Sequence, residues 1–276
     1  MLILLPPSET KRDGGEGAPL DLATLSFSSA LTGTRKRILS ATVALAKHPT
    51  ESAKVLKLSA KQMFEVERNR TLMTSPTMPA IDRYTGVLFE ALGAGTLPHA
   101  SRAFLGSHTF IQSALLGPIG GLDMIPAYRL SFDSRLPKLE GSPLKKVWAV
   151  PAGKALSEAI GVRSGRHLVL DLRSEGYADL APLPAVGNVF YVRVVTRGAD
   201  GAVRALNHFN KKGKGEFLRT LAIDAAVTAG ISSLEELFVW AATAGVILEL
   251  GLPGVPAAGK SPAKPGELNL VVSGLL

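Results

Sequence analysis

The sequence predicts an α+β fold, a mixed sheet with surrounding helices, on three observations. Short apolar runs with strand character recur at Leu2–Leu5, 109–111, 167–172, 188–195, 246–250 and 268–272. Stretches with helical spacing fall between them without the strict alternation of a doubly wound sheet. No internal repeat or composition break divides the chain, so 1–276 reads as a single domain. Apolar residues make up 46% and charged ones 20%, which supplies a sizeable core and excludes disorder of the chain as a whole.

In chain order, Leu2-Ile3-Leu4-Leu5 has the all-apolar character of a buried strand, and Pro6-Pro7 ends it because proline offers no ladder N–H. Gly14, Gly15, Gly17 and Pro19 mark a loop over 12–21. From 28 to 47, Leu31, Ile38, Thr42 and Leu45 recur at helical spacing, which would leave Arg35, Lys36 and Arg37 on the exposed side. A second helical patch covers 50–69, Pro76 and Pro79 break the pattern, and a helix follows Arg83-Tyr84-Thr85-Gly86 as far as Leu92. Gly117, Pro118, Gly120 and Gly121 read as a turn, with irregular chain from 123 to 130. A helix over 145–160 is expected to be interrupted or kinked at Pro151. Helices after Lys211 and over 233–240 complete the pattern, with a surface loop over 251–266.

Composition excludes several classes of function. With no cysteine, disulfides, thiolate metal sites and Cys nucleophiles are ruled out, and a cytoplasmic setting is the default. The longest uncharged apolar stretch, 237–248, falls short of the ~20 residues that span a bilayer, so no membrane partner is expected. His48, His99, His108, His167 and His208 lack the spacing of metal ligands, so no metal site and no cofactor are expected. Neither a P-loop, a nucleophile elbow nor a dinucleotide-binding glycine motif occurs.

The charge distribution is uneven. The chain carries 31 Lys+Arg against 23 Asp+Glu, a net +8. Arg35, Lys36, Arg37, Lys47, Lys54, Lys57, Lys61, Arg68 and Arg70 face only Glu51, Glu65 and Glu67 in their stretch. A second group, from Arg193 to Arg219, includes Lys211, Lys212 and Lys214. Taken singly, each group reads first as a solvated helix surface; together they make a polyanion partner a serious candidate.

The strongest local signal is 207–215, Asn-His-Phe-Asn-Lys-Lys-Gly-Lys-Gly, read as a glycine-rich approach to a helix N-terminus. Lysines there repel the macrodipole, and a bound phosphate would offset that repulsion; an exposed loop is the plainer alternative. Gly-Lys-Gly between two apolar stretches also suits a helical hairpin gripping a nucleic-acid backbone. Ser8, Glu9 and Lys11 follow the first strand, where binding groups often lie, although a turn cap explains them equally well. Ser174 and Tyr177 follow the strand ending at Leu172. Tyr128-Arg129 suits stacking and pairing with a nucleotide, or simply packing with an ion pair.

Taken in order, these segments resemble the YaaA family of bacterial peroxide-stress proteins. The opening through Lys11 looks like the family's short strand followed by Ser-Pro-Ala-Lys-Thr, and Tyr84-Thr85-Gly86 matches its Tyr-Thr-Gly. The stretch 115–123 followed by Tyr128-Arg129-Leu130 is similar to its glycine-rich turn and Pro-Tyr-Arg-Leu. Trp148, Ser174, Tyr177 and 211–215 fall on further family positions. Here the opening lysine is replaced by Glu9, with Lys11 two places on, and the family's Arg-Pro is Gly120-Gly121. The resemblance implies a positively charged cleft, a helix-hairpin-helix-like element, binding to duplex or distorted DNA, and protection from peroxide by limiting iron-driven damage.

Three functions follow as expectations. The first is a DNA-binding stress protein whose Lys211, Lys212, Lys214, Arg129, Arg35, Lys36 and Arg37 hold phosphates, beside a cleft lined by Tyr84, Thr85 and Tyr128. The second is an enzyme acting on a nucleobase, nucleotide or similar small ligand, with Ser8, Glu9, Lys11, Ser174 and Tyr177 as candidate catalytic residues. That reading requires the polar loop residues to share one pocket. The third is a basic scaffold without chemistry.

Overall fold

The structure is a computed structural model that describes residues 1–159, 161, 167–197, 203–205, 209–251, 256–257, 261–262 and 266–272. Strand β1 (Leu2–Leu5) is buried at every position, as its unbroken apolar run requires. It pairs in parallel with β3 (Thr109–Ser113) on one side and β6 (Val169–Asp171) on the other, with Leu4 opposite both Phe110 and Asp171. Beyond β6 lie β7 (Val189–Arg197) and β12 (Glu267–Val271), also parallel. Antiparallel strands flank this block: β4 (Gly117–Gly120) on β3, β9 (Ile247–Leu250) on β12, and β8 (Val203–Ala205) on β7. Two short pairs stand apart, β2 (Met78–Pro79) with β5 (Met124–Ile125) and β10 (Pro256–Ala257) with β11 (Ser261–Pro262). The mixed sheet surrounded by helices is thus the architecture that the sequence implies.

The first helix, α1 (Ser28–Leu45), buries Leu31, Ile38, Thr42 and Leu45 as expected. Arg35 departs from expectation: it lies on that same face, fully buried, and its guanidinium donates to the carbonyls of Leu116 (2.8 Å), Ser26 (2.7 Å) and Pro118 (2.9 Å). It ties α1 to the β4 strand and cannot reach a phosphate.

The stretch 50–69 divides into α2 (Pro49–Leu56), a 3-10 turn (Ala60–Gln62) and α3 (Phe64–Arg70), because Lys57 adopts a left-handed conformation, φ 55°, that ends α2. Next come α4 (Ala80–Arg83), α5 (Val87–Leu92) and α6 (His99–His108). Where a turn is expected, Gly117 to Gly120 form the edge strand β4. Gly117, at φ +69°, leaves no room for a Cβ beside the Trp148 ring. Helix α7 (Leu144–Ala159) runs through Pro151 without ending, and its Trp148 indole N–H donates to the Ala114 carbonyl at 2.9 Å.

After α8 (Glu175–Ala178) comes α9 (Phe209–Ile223), which corrects the strongest local expectation. Lys211 to Gly215 lie inside the helix rather than in a loop before it. Gly213 is needed where α9 meets Val194 and Val272, and a Cβ on Gly215 would overlap the Leu88 carbonyl of α5. The glycines therefore serve close packing, not loop freedom. Asn207 and His208 of that motif lie outside the described residues, as does most of 251–266. Helices α10 (Ala225–Thr228) and α11 (Leu234–Thr243) follow, α11 opened by a capping box between Ser233 and Glu236. One apolar cluster links β1, α1, α7, α9 and α11. No helix among the described residues is long and apolar enough to cross a membrane.

Candidate functional site

The parallel strands β1, β3 and β6 end along one edge of the sheet, where open α/β sheets gather their ligand-binding loops. After Pro6-Pro7 the chain turns back, and Lys11 forms a backbone bridge with Tyr84 while Arg12 N–H donates to Arg83 O at 2.9 Å. This pins a lysine that is only 6% exposed against two phenol rings. Its Nζ lies 4.0 Å from the centre of the Tyr128 ring and 5.3 Å from that of Tyr84. The ammonium donates to the carbonyls of Ser8 (3.0 Å) and Glu9 (3.3 Å), so it folds back beside position 9. Burial pushes the Lys11 amine down to about 7, opposed by the nearby Glu9 and Glu65 carboxylates.

Behind the lysine runs a chain of hydroxyls. Tyr84 and Tyr128 share a hydrogen bond of 2.7 Å, and Tyr128 another of 2.7 Å with Ser113 at the end of β3. The Ser113 oxygen accepts from the N–H groups of Leu115 (3.1 Å) and Leu116 (2.9 Å). With both lone pairs engaged, its own proton points to Tyr128. Burial raises Tyr84 to about 12 and lifts Tyr128 well above the ordinary phenol value, so both stay protonated near neutrality.

Glu9 is held on three sides. Arg129 pairs with it at 2.6 Å, the Ser131 hydroxyl donates at 2.7 Å and the Tyr177 hydroxyl at 3.2 Å. Burial, then the adjacent Glu9 carboxylate, push the Tyr177 phenol far upward. Asn69 fixes the Arg129 backbone through two hydrogen bonds of 2.8 Å. Arg129 Nε and Glu65 Oε2 are buried without hydrogen-bond partners. An outer layer of hydroxyls, Ser8 to Thr10 at 3.2 Å and Thr85 to Thr10 at 2.9 Å, forms the rim.

The structure therefore brings Ser8, Glu9, Lys11, Tyr84, Thr85, Tyr128, Arg129 and Tyr177 around one centre. Ser174 sits at the N-cap of α8 without a side-chain cap bond. Sequence reasoning missed Ser113, Ser131, Asn69 and Glu65; Ser113 carried a signal, since it closes a strand at the same sheet edge. Arg129 serves inside this cluster as the partner of Glu9.

A second charged cluster lies further along the sheet. Arg173 and Asp171 form a buried pair at 2.7 Å, and Arg193 pairs with Glu267 at 2.8 Å, beside a cavity of about 430 Å³. Lys214 is buried beneath it, donating to the Leu172 carbonyl at 2.9 Å, and burial lowers its amine to about 8. Lys214 is thus a packing residue rather than a solvent-facing phosphate ligand. Lys211 and Lys212 are exposed on the first turn of α9, Lys212 within 3.5 Å of Glu216.

Lys36 and Arg37 open instead onto a basic trough. A cavity of about 930 Å³ is lined by Lys47, His48, Lys54, Lys57 and Arg135 with Glu51 and Asp133. Through Lys47 it meets a second of about 540 Å³ that includes Lys36 and Lys138, and these reach a third, of about 490 Å³, with Arg37. Among the described residues Lys36, Arg37, Lys47 and Lys54 have no carboxylate within 4.0 Å, although Asp21, Glu51 and Glu140 share the trough walls with them. The trough and the α9 lysines lie on different sides of the sheet: Phe27, which opens α1, packs its ring at a tilt against Phe110, 4.9 Å between centroids, whereas α9 packs on Val194 of the opposite face. The two cation groups do not share one groove.

The chain is thus an α+β protein with a mixed sheet whose loop edge holds a buried lysine, two tyrosines and a clamped glutamate. The sequence model described as peroxide stress protein YaaA matches residues 1–240, and the chain belongs to that family. A UPF0246 protein of Corynebacterium glutamicum strain R is 43% identical over 251 residues, 90% of this chain and 95% of that one. Another from Corynebacterium efficiens is 43% identical over 234 residues, covering 83% and 89%. A third, from Streptomyces coelicolor, is 37% identical over 238 residues, covering 86% and 88%.

Proposed function

We propose that this protein acts in the peroxide-stress response by binding the DNA phosphate backbone and limiting iron-driven damage to it, with 1–276 working as one domain in the cytoplasm. The observation that carries the reading is the trough joining Lys36, Arg37, Lys47, Lys54, Lys57, Arg135 and Lys138. The cations outnumber the acids along it (Asp21, Glu51, Glu140, and Asp133 paired with Lys57), which suits a phosphate strand and gives an affinity with little dependence on base sequence. Fluorescence anisotropy with a duplex at two salt concentrations tests it. Affinity should fall steeply with salt, and K47E/K54E should weaken binding by about tenfold or more and reduce the salt slope by about 2. Equal binding by K47E/K54E and wild type, or indifference to salt, refutes the reading.

A second reading is favoured by a separate observation, the convergence of the polar loop residues on Lys11. Backbone binding has little use for buried hydroxyls and a clamped carboxylate; an enzyme acting on a nucleobase, nucleotide or related molecule does. Thermal unfolding with a panel of nucleobases, nucleosides and nucleotides checks it. A ligand at 100 times its Kd adds about 2.7 kcal/mol of stability, and E9Q should abolish the resulting rise in Tm. If no member of the panel raises Tm, this reading fails.

A further inference from the structure

The Lys11 cluster holds an amine in an unusual situation for a buried lysine. A lysine kept for structure inside a protein normally has a carboxylate partner, because an unpaired buried charge is costly. The nearest carboxylate, Glu9, is instead committed to Arg129, Ser131 and Tyr177. Lys11 donates only to two main-chain carbonyls and lies against the faces of Tyr84 and Tyr128, with Glu9, Glu65, Arg129 and Arg68 as the charged groups acting on it. Burial away from water favours the neutral amine, against the pull of the two carbonyls and two ring faces on a cation, and the neutral amine has the lone pair that ammonium lacks. Arginine in this place would make the same two hydrogen bonds and stay charged. The two rings it touches also begin a hydroxyl chain ending at Ser113, whose proton direction is fixed by the Leu115 and Leu116 N–H groups.

We propose that Lys11 is a nucleophilic amine that condenses with the carbonyl carbon of an aldehyde- or ketone-bearing ligand, with the Tyr84 hydroxyl as the proton carrier. This rests on the reading of the cluster as an enzyme site and names the chemical class it takes. The Nζ lone pair forms the C–N bond while the carbonyl π pair moves to oxygen. One proton passes from nitrogen to that oxygen through Tyr84, giving the carbinolamine. The hydroxyl then leaves as water with a second proton, nitrogen loses its remaining spare proton, and a C=N bond remains. Amine plus carbonyl become imine plus water, with no oxidant or reductant.

Glu9 stays outside these steps and holds the rim through Arg129. The position also explains how the departure at the start of the chain is accommodated. Lys11 returns its amine to the backbone of Ser8 and Glu9, beside the place where the family's opening lysine falls in sequence.

Borohydride trapping of the full chain tests the proposal. Glycolaldehyde measures the amine whatever the natural ligand, 2-deoxyribose 5-phosphate represents a nucleotide fragment, and 2-deoxyribitol 5-phosphate lacks the carbonyl. Peptide mass mapping after reduction should find the glycolaldehyde adduct on Lys11, with half-maximal labelling near pH 7. An ordinary lysine titrates near 10.4, so its neutral fraction at pH 7 is lower by about a thousandfold. K11R should lose the adduct, and Y84F should slow its formation about tenfold or more without removing it. The polyol should give nothing.

Labelling of surface lysines with Lys11 untouched overturns the proposal, even where nucleotides raise Tm and the enzyme reading stands. A Lys11 adduct whose labelling rises only above pH 9 also overturns it. An adduct with glycolaldehyde but not with the sugar phosphate supports the amine and removes the nucleotide fragment as its ligand. The wild-type mapping decides the matter even if a variant fails to fold.

Discussion

Burying Lys11 makes stability depend on pH in a direction that can be worked out. In the unfolded chain its amine titrates near 10.4, and in the fold near about 7. Below pH 7 both states are protonated and burial of the charge weighs fully against the fold. Between about 7 and 10.4 the unfolded chain binds a proton that the folded one lacks, so stability rises with pH. At about 1.4 kcal/mol per pH unit for one proton, and allowing for half-titration at pH 7, the gain from pH 7 to 9 is about 2 kcal/mol. K11M removes the titration while keeping much of the apolar stem. Urea denaturation of both proteins at pH 7, 8 and 9 should therefore show wild type gaining about 2 kcal/mol on K11M across the series. For a chain of this length that corresponds to a Tm difference of about 3 °C. Parallel curves would refute the reasoning, because they would mean that the lysine titrates alike in both states. K214M should show the same trend with a smaller gain, about 1 kcal/mol, since Lys214 is lowered only to about 8.

Two further outcomes follow from packing. R35M removes a fully buried guanidinium with three carbonyl acceptors and leaves those carbonyls unsatisfied; denaturation should show a loss of about 3–5 kcal/mol, with DNA affinity per folded molecule unchanged. G215A drives a methyl into the Leu88 carbonyl and should cost about 1–3 kcal/mol, whereas G33A in α1, where nothing lies within 4 Å of the added carbon, should be neutral or stabilising by the same measurement.

The first strand, the main strands around it and the helix faces were legible because each is a local pattern. β1 is a run of four apolar residues closed by two prolines, and nothing distant is needed to read it. Arg35 was misread although a signal was present: it stands four residues after Leu31 and three before Ile38, on the buried stripe. Its charge hides the fact that three carbonyls from outside the helix await it. Gly213 and Gly215 are a different case. A glycine pair beside lysines looks the same whether it frees a loop or lets a helix approach a strand, and only the positions of Val194 and Leu88 decide. The cluster at Lys11 was legible residue by residue at strand ends, but its arrangement was not. That Glu9 meets Arg129 and Tyr177 depends on contacts between residues more than a hundred positions apart.

The fit of α9 against α5 reaches beyond stability. With Gly215 seated on the Leu88 carbonyl, α9 and α5 approach more closely than any side chain at that position would allow. Thr85 and Gly86 lead directly into α5 and meet the Thr10 and Ser8 hydroxyls at the rim of the Lys11 cluster. The seat of α9 on α5 therefore also bears on where Thr85 and Gly86 stand beside Ser8 and Thr10.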